Sequence, residues 1–411
     1  MARSQTFAAI DVGTTKVCAL VGEVREEGDI HILGFGIAPT LGLRRGIVVD
    51  IDEATIAIRA AVDAAERTSG YRIVSAHLSI TGAHIASLNN RGVVAISRPD
   101  RLITADDVTR VLEAARTVSV PSNREILHVI PRSYIMDGQE GVTNPIGMHG
   151  FRLDVEAHII TAATASVQNL VKCVQSLGVT VDDLVFKPIA ASEAVLSPQE
   201  RAMGVVLADI GGGTTDIATF IDGSIWHTAS ITVSGYHLTN DVAIGLRTPF
   251  AAAEELKVRY GSVNPEAVEP EATVAVPAFG SDTTREVLRR QLCEILRLRA
   301  EEILKLIQLE IKRSGYEGLL PAGLVITGGS ANLPGLEQLA AETLGLPARI
   351  GRPHHIHGLS DAIDNPAFAT SVGLLLWGPR HAVFESRPRR RPAGPNIFKR
   401  LAVWARELLP Q

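Results

Sequence analysis

Cysteine is scarce: Cys18, Cys173 and Cys293 are the only three in 411 residues, far apart and without metal-ligand spacing. That excludes a disulfide scaffold and a cysteine zinc module, and it fits reduced, structural thiols in a cytosolic protein. No stretch reaches the roughly 20 apolar residues of a membrane-spanning helix, so any membrane contact is expected to be peripheral. The first five residues are polar and run directly into a strand pattern, without the character of a signal peptide. A large excess of one charge is also missing. The net charge of −5 argues against a general nucleic-acid binder. The twelve histidines form no catalytic constellation, and His354, His355 and His357 read as a loop rather than a metal site. What remains is an ordinary soluble composition, 46% hydrophobic and 21% charged. The length leaves room for roughly two to four domains.

The most informative stretch is Asp209-Ile210-Gly211-Gly212-Gly213-Thr214-Thr215-Asp216. An apolar run, 204–208, leads in and an alternating run, 217–221, leads out, which is strand, tight turn, strand. Successive glycines let the backbone approach a ligand with no Cβ in the way. Their N–H groups, with the Thr214 and Thr215 hydroxyls, would form a nest for an anion. Asp209, at the strand end, places a carboxylate where phosphate-bound Mg2+ would sit. A milder copy stands at Asp11-Val12-Gly13-Thr14-Thr15-Lys16, so Asp11 is the matching metal-side carboxylate. Two such turns predict two similar halves closing on one phosphate chain. A third turn, Gly328-Gly329-Ser330, follows a buried-type strand at 323–327; it is either a plain strand-to-helix turn or bare backbone against a base or ribose. Glu254 and Lys257 share one helix face, as a surface ion pair or as ribose and base contacts. Glu193, on a short helix at 188–196, either orients a water or is simply solvated.

Around these turns the chain reads as α/β. A helix capped by Asp52 ends near Gly70, and a strand follows at 73–80. Asn89-Asn90-Arg91-Gly92 reads as a turn, followed by a strand at 92–97, a helix opened by Thr104, and strands at 125–136 and 151–160 with a loop at 137–150 between them. This β-α-β-β unit carries no phosphate-binding residues and reads as an insert suited to a partner or another copy. Ser197-Pro198-Gln199-Glu200 looks like the link between halves. The stretch 283–312 reads as one long helix, basic through Arg285, Arg289, Arg290, Arg297, Arg299 and Lys305. A last apolar helix at 365–376 ends at Gly378.

The C-terminus is the second informative stretch. Residues 381–395 carry proline, glycine and Arg387, Arg389, Arg390 and Arg391, the composition of a basic disordered linker. In a helix over 396–409, Ile397, Phe398, Leu401, Trp404, Ala405, Leu408 and Leu409 share one face, with Lys399, Arg400, Arg406 and Glu407 opposite. An apolar face, a basic face and a basic leash are what an interfacial membrane helix needs; the alternative is a helix docked on the protein's own surface.

Together, the two Gly-Thr turns, the Gly-Gly-Ser turn and the paired halves resemble the actin/DnaK-type chaperone/sugar kinase ATPase fold. The insert, Ala253-Glu254-Glu255-Leu256-Lys257-Val258-Arg259-Tyr260-Gly261 and the tail narrow the resemblance to the FtsA family of bacterial cell-division proteins. The resemblance implies a first half at 1–84 and 163–200, an inserted α+β subdomain at 85–162 and a second half at 201–250 and 320–380. It also implies an upper subdomain at 251–319, the linker at 381–395 and the membrane helix at 396–411. ATP and Mg2+ are the implied ligands. Asp11, Gly13, Thr14, Thr15 and Lys16 match the first phosphate motif and Asp209, Gly211, Gly212, Gly213, Thr214, Thr215 and Asp216 the second. Gly328, Gly329 and Ser330 match the adenosine motif, and Glu254 and Lys257 the ribose and base contacts. The implied partners are the FtsZ C-terminal tail, other copies of the chain in an actin-like filament, later divisome proteins and the anionic cytoplasmic face of the membrane at the septum. Arg297 and Arg299 are named as the basic docking surface for the acidic, apolar FtsZ tail. One departure stands out. Active ATPases of this fold often carry Glu-Pro or a glutamine where this chain has Lys187-Pro188, so weak or absent hydrolysis is expected unless Glu193 substitutes. A pilus-assembly adaptor resembling PilM and a kinase or phosphatase of the same fold are the alternatives.

Overall fold

A computed structural model describes residues 5–24, 29–279, 283–354, 356–359 and 362–382. The expected membrane face, Ile397, Phe398, Leu401, Trp404 and Leu408, and the linker beyond residue 382 lie outside the described residues.

Two sheets are built alike. In the first, Gln5–Val12, Lys16–Val24 and Ile30–Pro39 form an antiparallel meander. Ser75–Ile80 joins Gln5–Val12 in parallel, and Thr180–Phe186 adds beyond it. In the second, Val205–Ile210, Thr215–Ile221 and Ser224–Ile231 form the same meander. Leu324–Thr327 joins Val205–Ile210 in parallel, with Ala348–Ile350 beyond. Both central strands are covered on two faces, which is why 205–210 is a continuous apolar run rather than an alternating one. Helix Ile51–Ser69 covers the first sheet; its cap is Asp50, whose carboxylate accepts from the Glu53 N–H, rather than Asp52.

The helix that follows each half packs on the sheet of the other. Lys187–Val195, entirely buried, lies against Val205–Ile210 and Thr215–Ile221. Ala369–Ala382 lies against Gln5–Val12, Lys16–Val24 and Ser75–Ile80. Their crossing needs Gly373, where a Cβ would lie 1.8 Å from the Ala190 carbonyl oxygen. One core results, running from Ala9, Cys18 and Leu20 through Ile189, Ala190, Val372 and Leu375 to Leu207 and Phe220. Each large apolar side chain buried there contributes about 2 kcal/mol. Residues 369–382 therefore pack with the first sheet, although they follow the second in sequence. The helix also continues through Gly378 to Ala382 instead of ending there.

The insert is a four-stranded sheet, ordered Ala86–Ala95, Arg152–Ala163, Arg124–Met136 and Gln139–Val142, backed by helix Ala105–Arg116. Asn89-Asn90-Arg91-Gly92, expected as a turn, lies inside its first strand. The reason is tertiary. Asn90 donates to the Ala115 carbonyl, Asn89 bonds His158, and a Cβ on Gly92 would meet the Val111 carbonyl at 2.2 Å. The region expected as a loop contains the edge strand Gln139–Val142. In the second half, 284–288 is not helical. Thr284–Leu288 pairs with Thr273–Pro277, setting Val287 opposite Val274, and the long helix begins only at Arg289 and ends at Ser314.

Candidate functional site

The ends of the two meanders face each other across a cavity of about 590 Å³. The turns are closed identically: the Gly13 N–H donates to Lys16 O at 3.0 Å, and the Gly211 N–H to Thr214 O at 2.9 Å. Asp11 and Asp209 hold matching strand positions, paired with Cys18 and Asp216. None of Gly211, Gly212 and Gly213 adopts a positive φ, so handedness is not why glycine is needed. Room is the reason. A Cβ on Gly212 would lie 1.9 Å from Thr15 Oγ1, and one on Gly213 would lie 2.3 Å from Thr14 Oγ1. The glycine turn is hollowed to receive the threonine turn, in a roughly two-fold arrangement. Helix Gly235–Gly245 holds the hollow turn from behind: the Gly235 and Tyr236 N–H groups and Ser234 Oγ donate to the carbonyls of Gly211 and Gly212.

Asp11, Gly13, Thr14, Thr15, Lys16, Asp209, Gly211, Gly212, Gly213, Thr214, Asp216, Glu254, Lys257, Gly328, Gly329 and Ser330 all line this cavity. Thr215 is not among the lining residues. It opens a strand, so its side chain turns away from that of Asp216, and its hydroxyl donates to Val233 O at 2.7 Å. Gly328 has φ +86°, and a Cβ there would meet Asp209 Oδ1 at 2.4 Å, so the third turn lies directly against the second. Lys257 Nζ donates to Glu254 Oε2 at 2.7 Å and Thr239 Oγ1 at 2.9 Å, so the two expected ribose and base contacts are also an ion pair at the cavity wall. Glu193 is outside the cavity: its buried carboxylate takes the Arg201 guanidinium at 2.9 Å. Arg297 is paired with Glu301, and Arg299 ties the long helix to Asp241 and Glu302. Neither arginine is an uncommitted cation.

Local patterns did not single out several residues that complete the floor. Ser79 Oγ donates to Asp11 Oδ1 at 2.7 Å and Ser371 Oγ to Asp11 Oδ2 at 3.2 Å. Thr81 Oγ1 and Thr214 Oγ1 both donate to Asp216 Oδ2, and Thr370 Oγ1 donates to Asp209 Oδ2. Hydroxyls at the end of a strand or the start of a helix, flanked by apolar residues, were the available signal. Lys16 Nζ sits 3.3 Å from the Phe368 ring centroid, and burial pulls its pKa down. Lys187, already marked by its departure from Glu-Pro, joins this floor through a contact that no local pattern indicates. Its ammonium lies 2.8 Å from Asp11 Oδ1, with both side chains nine-tenths buried. Burial pushes the Asp209 carboxyl up to about 6, helped by the charges of Asp216 and Asp11. Asp11 stays below its ordinary value: burial opposes ionisation, but the Lys187 charge and its hydrogen bond outweigh it.

The two carboxylates expected beside a phosphate-bound Mg2+ already have partners within the protein. Asp11 has Lys187 and Ser79 on one oxygen and Ser371 on the other, and the Asp209 oxygens face Thr370 and Gly328.

Comparison with known proteins gives a consistent set of likenesses. A family model described as "Cell division protein FtsA" matches residues 206–373, and one described as "SHS2 domain inserted in FTSA" matches 82–161. A cell division protein FtsA from Pseudomonas aeruginosa PAO1 is 44% identical, over 90% of this chain and 89% of its own. Among solved structures, a PilM–PilN type IV pilus biogenesis complex has a similar fold, with a TM-score of 0.66 at 17% identity, covering 90% of this chain and 98% of that one. MreB5 of Spiroplasma citri bound to ADP aligns with a TM-score of 0.57 at 15% identity, over 93% and 99% of the two chains. These neighbours establish the actin-like ATPase fold for the α/β architecture described above.

Proposed function

The chain belongs to the FtsA family of cell-division proteins, and from that premise we propose that it is an ATP-binding clamp that links FtsZ filaments to the membrane. The observation that carries this is the convergence of both turns, the Gly328-Gly329-Ser330 turn and the Glu254–Lys257 pair on one cavity. Backbone-rich turns with no Cβ in the way suit a polyphosphate, and the third turn suits an adenosine. The ADP carried by the Spiroplasma citri neighbour supports an adenine nucleotide. In this reading ATP, held between the halves, favours the shape that self-associates into an actin-like filament. Turnover is slow or absent, because Lys187 replaces a carboxylate and Glu193 is engaged by Arg201.

The remaining partners follow the family. The FtsZ tail, acidic and apolar, docks on the upper subdomain. Where that subdomain borders the segment 201–250, a groove of about 800 Å³, bounded by Tyr236, Ile244, Phe250 and Phe279 with Arg247 beside it, offers matching chemistry and is a better candidate than the paired Arg297 and Arg299. Among the described residues no helix is long and apolar enough to cross a membrane. Membrane attachment at the cytoplasmic side of the septum is assigned to the amphipathic pattern at 396–411, and recruitment of later divisome proteins to the insert. The relationship to a cell-division protein over 90% of this chain and 89% of the relative favours this reading over a pilus adaptor or a small-molecule kinase.

Co-pelleting tests it. The full chain should carry FtsZ down with anionic liposomes, and a chain ending at residue 395 should leave both in the supernatant while still binding ATP. Undiminished co-pelleting by the shortened chain contradicts the anchor assignment.

A further inference from the structure

Lys187 is the first residue of helix Lys187–Val195, where the helix dipole disfavours a cation. Its ammonium is nevertheless held in the floor of the cleft, 2.8 Å from Asp11 Oδ1 and with Asp209 and Asp216 close enough to stabilise its charge. All three carboxylates are at least nine-tenths buried. An unpaired buried charge is costly, so these groups hold one another in place. Burial alone would pull the Lys187 pKa down; the three carboxylates, Asp11 first, hold it above its ordinary value.

Three carboxylates at the base of a polyphosphate site repel the ligand unless a cation lies between them and it. Sites of this kind ordinarily take a divalent ion there. Here the covalently attached ammonium already fills that place on Asp11, and it lines the same cavity as the turns. Resting on the nucleotide reading above, we propose that Lys187 is the resident cation on Asp11, in a cleft that Lys16 also lines, and that ATP binds there without a requirement for magnesium. Lys187 thus acts as a positioning and specificity residue: it neutralises Asp11 and faces the phosphates as a point charge, in the role a bound metal would otherwise fill.

The test uses the full-length protein and two readouts. In the first, ATP is titrated calorimetrically in excess Mg2+ or in EDTA. Wild-type affinity should differ by less than about threefold between the two buffers, and Lys187→Gln should lose more than about tenfold in EDTA and recover in Mg2+. Lys187→Arg, which keeps the charge, should behave as wild type. In the second, Mg2+ alone is added to nucleotide-free protein and thermal melting is followed. The wild type should not shift, and Lys187→Gln should gain stability. A wild type that loses tenfold or more in EDTA overturns the proposal, as does a Lys187→Gln protein with wild-type affinity in EDTA. Should Lys187→Gln not fold, the wild-type and Lys187→Arg titrations still decide it. Absence of ATP binding in both buffers brings down the nucleotide reading and the proposal's ATP claim with it, while the Mg2+ melting experiment separately reports whether Lys187 excludes the ion.

Discussion

The two hairpin turns share strand order, closing hydrogen bond and the position of their aspartate, yet they are dressed differently. The second carries two more glycines than the first, and Thr15 and Thr14 of the first face Gly212 and Gly213 of the second. Charge is divided as unevenly as volume. Asp11 receives a lysine and two serines; among the described residues Asp209 receives a hydrogen bond from Thr370 and the more distant charge of Lys187, and its pKa is raised to about 6. Similar halves have therefore become complementary ones: the first turn is braced and charge-compensated, the second is hollow and holds its carboxylate under strain from burial.

That contrast can be broken at its strongest point by Asp11→Asn. Removing the carboxylate leaves the Lys187 ammonium buried with more distant partners, and the expected loss is about 3 kcal/mol, read as a fall in denaturant midpoint. The volume complementarity is next. Gly213→Ala drives a Cβ against Thr14, whose own Cβ would be 2.8 Å away, for an expected loss of about 2 kcal/mol. Adding Thr14→Gly should recover most of it, and failure to recover would mean that the turns do not interlock. The smallest effect should have the opposite sign. Asp209 has its folded pKa raised from 3.8 to about 6, so its contribution favours the folded state below about pH 4 and is lost as pH rises through 6. Asp209→Asn should therefore stabilise the nucleotide-free protein at pH 7 by about 1 kcal/mol and flatten its stability profile between pH 4 and 6. Destabilisation of similar size by both asparagine variants would erase the distinction between the turns.

Much of this was legible in the sequence because it is local. Strand, glycine turn and strand at 205–221, its copy at 5–24 and the turn at 328–330 are contiguous patterns, and the fold places them together. What stayed hidden depends on distant residues. Lys187 and Ser371 meet Asp11 from far along the chain, Thr370 likewise meets Asp209, and no spacing rule joins them. Asn89-Asn90-Arg91-Gly92 has turn composition, but its asparagines are spent on a helix carbonyl and a buried histidine, so tertiary contacts override the local preference. Thr215 was misplaced for a simpler reason: strand alternation sends its side chain to the face away from the cavity.

The central claim, that the two turns close on one polyphosphate, is tested most directly by titrating ATP into the full-length protein and into Gly213→Val. The account predicts saturable binding of one ATP by the wild type and a loss of at least about tenfold in the variant, with secondary structure retained by circular dichroism. Equal affinity in a folded Gly213→Val protein would contradict it.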